Sequence, residues 1–357
     1  MSLGRVSGIP IRVHWSFSLL LIWSAFVNFS ATASLSAVGL GLLFVVLVFF
    51  CVVLHELGHS LTAQRFGIQT RSITLSPIGG LAALESSPRH WKHEFWITVA
   101  GPAVNAVIAL LLFPLVLFTV TPETILSTPF SSAGNFIFML FAANVMLVIF
   151  NLIPAFPMDG GRIFRSLLVP RSGKVKATRI AARTGQVTAV LMGAGGFFLS
   201  PFLALIGIFI FFAASAELRQ VELDESLAGA TVFDAMRSSF AAARHHDTVD
   251  DVINLAIRHG QPSIPVLHHD RLVGVADFSS LVRTREGGFG QAPVESALDR
   301  DFLVVSPHDE LLPAFRSMQS KDREVVPVMR ENQLIGLLPK RSILSILTLR
   351  GSTAGQA

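Results

Sequence analysis

Long apolar segments constrain this sequence more than any other feature. Six of them fall at 15–30, 37–64, 94–120, 133–153, 186–200 and 201–217. Three of them, at 37–64, 94–120 and 133–153, exceed the roughly 20 residues that a helix needs to span a bilayer, and the last two are short enough to form one bent hairpin. The composition, 51% hydrophobic and only 15% charged, also favours a membrane protein over a soluble one. We therefore predict an α-helical polytopic membrane protein with about six transmembrane helices.

Basic residues occur only in alternate connections between these segments. They precede the first segment and separate the second from the third and the fourth from the fifth: Arg5, Arg12, Arg65, Arg71, Arg89, Lys92, Arg162, Arg165, Arg171, Lys174, Lys176, Arg179 and Arg183. The connections at 31–36, at 121–132 and near 200 contain none. By the positive-inside rule, this asymmetry predicts a multi-pass protein of the cell membrane with both termini cytoplasmic. No basic cluster is interleaved with aromatic residues, so the net charge of +4 predicts no nucleic-acid partner.

The first apolar segment has a second interpretation, because a signal peptide would have the same features. Arg5 and Arg12 precede an apolar run, and Ala31-Thr32-Ala33 resembles a cleavage site. The direction of the second segment is the same in both interpretations. The single Cys51 excludes an internal disulfide and a Cys-rich zinc site.

The second apolar segment ends in the sequence HELGH, residues 55–59. On a helix His55 and His59 lie one turn apart on one face, close enough to ligate the same metal ion. Glu56 projects about 100° away and can reach a water molecule beside that ion. His55 lies ten residues before Arg65, or ~15 Å below the cytoplasmic end of the helix. The alternative is a polar helix face that serves as a proton relay in a transporter.

A catalytic zinc ion needs a third protein ligand, and Asp159 is the best candidate. It belongs to the stretch NLIPAFPMDGGRIF, residues 151–164, where two prolines prevent regular helix and Gly160-Gly161 permits unusual backbone angles. Irregular backbone at membrane depth is tolerated only where it lines a cavity or is buried in protein. A carboxylate beside a broken helix therefore indicates a ligand, and a simple helix-ending aspartate is the alternative.

The two motifs, HELGH and N-x-x-P-x-x-P-x-D-G-G, resemble those of the site-2 protease family of intramembrane zinc metalloproteases. The resemblance covers roughly residues 1–218. It implies one zinc ion per chain, held by His55, His59 and Asp159, with Glu56 as the general base. It also implies that the substrates are membrane-spanning proteins.

Two asparagines match further family positions. Asn151 lies eight residues before Asp159, and the resemblance implies that it steadies the substrate or the oxyanion; capping or packing of the fourth segment is an equal alternative. In AGPAVNAVIA, residues 100–109, Gly101 and Asn105 match a G-x-x-x-N pattern. Small residues at this spacing favour close helix packing, while a role for Asn105 beside the substrate or behind a metal ligand is the alternative.

The connection between the second and third segments contains IQTRSITLSPIGGLAALES, residues 68–86. It is too polar to span a membrane and rich in β-branched residues, so we predict a small hairpin or sheet near the membrane surface. In the resembled family a strand of this region pairs with the unwound substrate. An ordinary connecting hairpin is the alternative.

An internal repeat follows the apolar region. The stretch at 261–282 aligns with that at 323–344, so that Pro265 pairs with Pro327 and Gly274 with Gly336, both 62 residues apart. Each unit predicts helix, strand, turn, strand and helix, which resembles a tandem pair of cystathionine-β-synthase (CBS) domains of α/β fold. We predict a membrane domain at 1–218, a polar loop-like linker at 219–230, and CBS domains at 231–287 and 293–349.

The CBS-like pair departs from the pattern of nucleotide-binding members. Those usually carry Thr and, three residues later, Asp after the final glycine, whereas this chain has Asp277 and Ser280 in one repeat and Pro339 and Ser342 in the other. Adenine nucleotide binding is therefore left open, and a homodimer through the pair is at least as good a prediction. The histidines of this region are predicted to be solvated loop residues.

Taken together, the sequence predicts a zinc metalloendopeptidase with a regulatory or dimerising CBS pair. The alternative is a CBS-regulated membrane transporter or channel without proteolytic activity.

Overall fold

The computed structural model describes residues 2–77, 79–85, 88, 90–121 and 133–354. The chain divides into two compact units, Met1–Arg219 and Gln220–Ala357. Arg89 and all but Thr121 of the predicted connection at 121–132 lie outside the described residues.

Helices dominate the first unit. In the part of the chain that the structure describes, they are α1 (Phe17–Thr32), α2 (Leu35–Arg65), α3 (Trp91–Thr119), α4 (Ala133–Leu152), α5 (Asp159–Ser172), α6 (Lys174–Leu199) and α7 (Pro201–Leu227), the last of which continues into the second unit.

Four of these helices are long and apolar enough to cross a membrane: α2, α3, α7 and, from Gly134, α4. The mostly helical architecture with long apolar helices is thereby confirmed, but the predicted number of six spans is not. The helix α1 has only 16 residues. The helix α6 has 26 residues, but its first turns carry Lys174, Lys176, Arg179 and Arg183, which shortens its apolar part.

A four-stranded sheet accompanies the helices. Its strands β1 (Ser2–Val6), β2 (Ile9–Val13), β3 (Thr70–Ser76) and β4 (Gly79–Leu84) lie in that order, with β2 parallel to β3 and the other pairs antiparallel. The predicted hairpin is thus present as β3 and β4, whereas β1 and β2 were not predicted. Ile9 and Ile73 of the sheet pack with Val53 and Leu57 of α2 in one buried cluster. This packing places β4, the end strand, beside the helix that carries HELGH.

The chain between α4 and α5 is irregular at residues 153–158, as the prolines predict. Ala155 and Phe156 are fully buried there, so the broken helix is enclosed by protein. The expectation of unusual angles at Gly160-Gly161 is wrong, because both residues are helical. A side-chain carbon at Gly160 would lie 2.2 Å from the Ile153 carbonyl oxygen, so glycine is needed here for close approach.

The segment predicted as a loop-like linker at 219–230 is largely helical. It is polar but contains neither proline nor glycine before Gly229, where α7 has ended and the backbone turns to a positive φ of 69°. Leu223 and Leu227 of this last part of α7 pack in the core of the second unit. The polarity of the segment reflects the exposed face of a helix and not a loop.

The second unit contains two similar halves, which confirms the CBS-like pair. The first half comprises α8 (Val232–Ala235), β5 (Ala243–Arg244), α9 (Val249–His259), β6 (Ser263–His268), β7 (Arg271–Asp277), α10 (Phe278–Thr284) and short helical turns at Arg285–Phe289 and Val294–Ala297. The second comprises α11 (Leu311–Ser320), β8 (Val325–Arg330), β9 (Gln333–Pro339) and α12 (Lys340–Ala354). Pro265 pairs with Val275 and Pro327 with Leu337, so both hairpins have the same register at the predicted offset.

Candidate metal centre

Three potential metal ligands meet where α2 passes the first turn of α5. The Asp159 Oδ2 atom lies 3.2 Å from His55 Nε2 and 3.1 Å from His59 Nε2, and the two nitrogens are 3.1 Å apart. All three side chains are at most 14% exposed. In the described part of the chain this is the cluster whose donor atoms are arranged to hold a metal ion.

The triangle of donor atoms has the size of one face of a zinc coordination tetrahedron. Three atoms 3.1–3.2 Å apart that form one face of a regular tetrahedron lie about 1.9 Å from the centre of that tetrahedron. This distance is close to the 2.0–2.2 Å expected for zinc bound to His and Asp. Two imidazoles and one carboxylate are also the donor set of a catalytic zinc site rather than a structural one. The residues therefore fit a catalytic zinc ion.

The helix α3 holds the two histidine rings from behind. His59 Nδ1 lies 2.8 Å from the Ile97 carbonyl oxygen, and His55 Nδ1 lies 2.6 Å from Asn105 Oδ1. A carbonyl oxygen can only accept a hydrogen bond, so the proton of His59 is on Nδ1. In the neutral ring the lone pair is then on Nε2, the atom that lies 3.1 Å from Asp159 Oδ2 and that a metal would bind.

The tautomer of His55 is set through two asparagine amides. Asn144 of α4 donates from Nδ2 to the Leu140 carbonyl oxygen at 2.9 Å, which leaves its Oδ1 to accept from Asn105 Nδ2, also at 2.9 Å. Asn105 must then present its oxygen to His55, so the His55 proton is also on Nδ1. Asn105 and Asn144 are both fully buried.

Gly101 lets α3 approach the imidazoles. A side-chain carbon at this position would lie 2.2 Å from His59 Nε2 and 2.8 Å from His55 Nε2. Gly101 thus permits a close approach, as predicted. The groups that approach it are the imidazole rings of the candidate ligands and not the backbone of another helix. The G-x-x-x-N pattern combines this close approach with the amide that orients His55.

Glu56 lies beside the donor triangle, within electrostatic reach of His55, His59, Asp159 and Arg162. The backbone of β4 covers it, because a side-chain carbon at Gly80 would lie 2.6 Å from Glu56 Cγ and 3.1 Å from its Oε1. A carboxyl group in this place can exchange protons with a molecule bound at the donor triangle.

The predicted site residues fall into two groups. His55, His59 and Asp159 are in direct contact with one another. Asn105 contacts His55, and Glu56 borders the donor triangle. Asn151 is half-buried, and its amide donates to the Leu147 carbonyl oxygen of its own helix at 2.9 Å.

Sequence reasoning missed Asn144 and a buried ion pair between Glu94 and Arg165. A signal for Asn144 existed, since a buried amide in the middle of an apolar segment is costly without a partner.

Comparisons with known proteins place these features in a wider context. The model of peptidase family M50 matches residues 43–128 and 124–192, and the CBS domain model matches 232–287 and 294–349. A zinc metalloprotease of Methanocaldococcus jannaschii is 31% identical over 97% of this chain and 95% of its own length. Stage IV sporulation protein FB of Bacillus subtilis is 28% identical over 46% of this chain and 54% of its own. The solved site-2 protease of M. jannaschii is 35% identical over 61% of this chain and 95% of its own, with a TM-score of 0.46.

Proposed function

Because the chain belongs to peptidase family M50, with a tandem CBS pair, we propose that it is a zinc-dependent intramembrane endopeptidase. Its substrates would be membrane-anchored proteins, hydrolysed within or near their transmembrane segments. The observation that carries this proposal is the convergence of His55, His59 and Asp159, with donor atoms 3.1–3.2 Å apart, on helices of a membrane protein.

In this proposal the three residues hold one zinc ion per chain. Such an ion supplies a Lewis acid that polarises the scissile carbonyl and makes a water molecule more acidic. Glu56 accepts the proton of the attacking water and delivers it to the leaving amine. His55 and His59 keep their Nε2 lone pairs directed at the site through the acceptors on α3 described above. Asn105 acts behind His55 in this scheme and not on the substrate.

The strand β4 is proposed to present the substrate. It is the end strand of the four-stranded sheet, and within the described residues it pairs with β3 on one side only. A protease must read extended chain, and the free edge of a strand binds extended chain by main-chain hydrogen bonds. A substrate strand added to β4 would pass beside Glu56, which Gly80 contacts. We further propose that Asn151 steadies the substrate or the oxyanion.

The membrane topology proposed here has six spans, with α1 and α6 added to the four long apolar helices. Both termini lie in the cytoplasm of a multi-pass protein of the cell membrane, because the basic residues cluster in alternate connections. The proposed domain boundaries are 1–218 for the protease, 219–230 for a largely helical linker that packs on the second unit, and 231–287 and 293–349 for the CBS domains.

The CBS pair is proposed to act in dimerisation rather than in tight adenine nucleotide binding. Asp277, which stands where nucleotide-binding members carry Thr, accepts a hydrogen bond from Ser263 Oγ at 2.5 Å. Arg323 pairs with Asp299 and lies 3.7 Å from Asp277. These contacts engage Asp277 within the protein, and a carboxylate here also disfavours a phosphate.

The substitution Glu56→Gln tests the function. It removes the proton acceptor and no metal ligand, so we expect the purified, full-length variant to bind about one zinc per chain and to lose cleavage of a membrane-anchored substrate by about 100-fold or more. The matched control is Glu286→Gln, an exposed glutamate of the second unit, which should cleave at the parental rate. Metal content by mass spectrometry and cleavage in detergent are measured on the same samples. A parental chain that binds no zinc would favour the transporter alternative, and parental cleavage by Glu56→Gln would refute the role of Glu56.

A further inference from the structure

A buried arginine lies on the same helix as the candidate ligand Asp159. Arg165 is six residues further along α5, or ~9 Å along its axis, and it is only 7% exposed. Burying a guanidinium is costly unless charged partners and hydrogen bonds compensate. The scheme of zinc and Glu56 chemistry above does not use this residue.

Arg165 is compensated by two carboxylates on different helices. Its Nε atom donates to Glu94 Oε1 on α3 at 2.8 Å, and its Nη2 atom makes a second, very short contact to the same oxygen. Its Nη1 atom donates to Glu217 Oε1 on α7 at 2.9 Å. Glu94 is 6% exposed, so this pair is shielded from water on both sides.

The guanidinium also lies over the ring of Phe156, 5.0 Å from the ring centroid. Phe156 belongs to the irregular segment that leads into Asp159 and is fully buried. Arg165 therefore contacts α3, α7 and the segment between α4 and α5, in addition to its own helix. One side chain thus joins the middle of α5 to three neighbours.

The position of α5 relative to α3 decides whether the three ligands meet. The acceptors that hold both histidine rings, Ile97 and Asn105, are on α3, whereas Asp159 is on α5. Glu94 is one turn before Ile97 on the same helix. The pair between Glu94 and Arg165 therefore joins the helix that orients the imidazoles to the helix that supplies the carboxylate.

We propose that Arg165 is a positioning residue, which through Glu94 sets the Asp159 carboxylate at coordination distance from the two histidines. Glu217 is the weaker of its two partners, because it is 27% exposed and makes a single bond. Arginine suits this position better than lysine, because its planar guanidinium binds two carboxylates in fixed directions while it covers an aromatic ring. This inference rests on the proposed ligands of the metal.

The test compares metal binding by full-length variants in detergent. Arg165→Met removes the charge and the donors, and Arg171→Met is its control, the same change at an exposed position of the same helix. The probe is Co²⁺, whose visible absorption reports the ligand geometry, and its affinity is measured by competition with a chelator. Substrate cleavage is recorded as kcat and KM separately.

We expect Arg165→Met to bind Co²⁺ about 10- to 100-fold more weakly, with an altered absorption spectrum, as for other residues that orient metal ligands. Arg165→Lys should bind Co²⁺ with an affinity between those of Arg165→Met and the parental chain. Arg171→Met should bind Co²⁺ with the parental affinity. Glu94→Gln keeps the shape of the partner and gives a second test if Arg165→Met does not fold.

Parental affinity and spectrum in Arg165→Met and in Glu94→Gln would overturn this inference and leave the proposed function standing. Absence of stoichiometric metal in the parental chain would overturn both.

Discussion

The substitution Gly101→Ala should destroy the metal centre, although it adds a single methyl group to a helix. The new carbon would lie 2.2 Å from His59 Nε2, whereas ordinary contacts begin at 3.4 Å, so the ring must move by about 1.2 Å. A metal site tolerates deviations of about 0.2 Å in its ligand distances. The displacement therefore exceeds the tolerance about sixfold.

Movement of α3 instead of the ring would relieve the clash but would also disrupt the metal centre. Retreat of the helix would withdraw the Ile97 carbonyl from His59 and Asn105 from His55, which lie 2.8 Å and 2.6 Å away. Either response disorders the ligands, so we expect zinc affinity to fall by about 100-fold or more. Alanine is a better helix former than glycine, so a loss cannot be attributed to helix propensity.

The assay is zinc content after dialysis against a graded series of chelator concentrations, with size-exclusion chromatography to show that the variants are folded. Gly39→Ala in α2 is the matched control, because no atom lies within 4 Å of its new carbon, and it should retain parental zinc. If a folded Gly101→Ala protein held zinc with parental affinity, α3 could not lie against the imidazoles as described.

Three further predictions follow from other contacts. Asn144→Leu leaves the Asn105 amide without its acceptor and free to turn, so zinc affinity measured by chelator competition should fall about tenfold; parental affinity would disprove the amide relay. Gly80→Ala presses on the Glu56 side chain but on no ligand, so cleavage should fall about 100-fold with zinc content unchanged; loss of zinc would show a different role for β4. The pKa of His268 lies below its ordinary value of 6.5 because the ring is partly withdrawn from water and lies beside other imidazoles. The folded unit binds fewer protons there than the unfolded chain, so stability is retained above pH 6.5 and lost as the pH falls below it; thermal unfolding from pH 8 to 5.5 should show this slope, and His268→Asn should flatten it.

The sequence predicted best those features that depend on short-range spacing. The interval of four between His55 and His59 fixes their common face on any helix, and the repeat offset of 62 fixes the paired hairpins of the second unit. Asp159 required one further step, because charge topology brought the ends of two apolar segments to the same side of the membrane. Each of these predictions depends on a periodicity or an asymmetry that can be recognised in the sequence without knowledge of the packing.

Features that depend on which helix faces which could not be predicted in this way. Hydropathy does not specify the rotation of a membrane helix, so neither the contact of Asn144 with Asn105 nor the pairing of Arg165 with Glu94 was visible. Strands β1 and β2 escape prediction because their residues form the N-terminal flank of an apolar segment. The helical linker escapes prediction because a polar sequence is also typical of a loop.

The two histidines differ in how securely their tautomers are held. His59 relies on a main-chain carbonyl, Ile97, which no side-chain substitution removes while α3 stays in place. His55 relies on two amides in series, and their orientation depends on the acceptors of Asn144 Nδ2, which are the Leu140 carbonyl and, at 3.5 Å, Cys51 Sγ. An amide can turn by 180° with little change in shape, so removing either member of the series releases His55 while the helices remain packed. Replacing Asn105 on α3 or Asn144 on α4 should therefore weaken metal binding by releasing His55. Metal binding through His59 should weaken only when α3 itself is displaced.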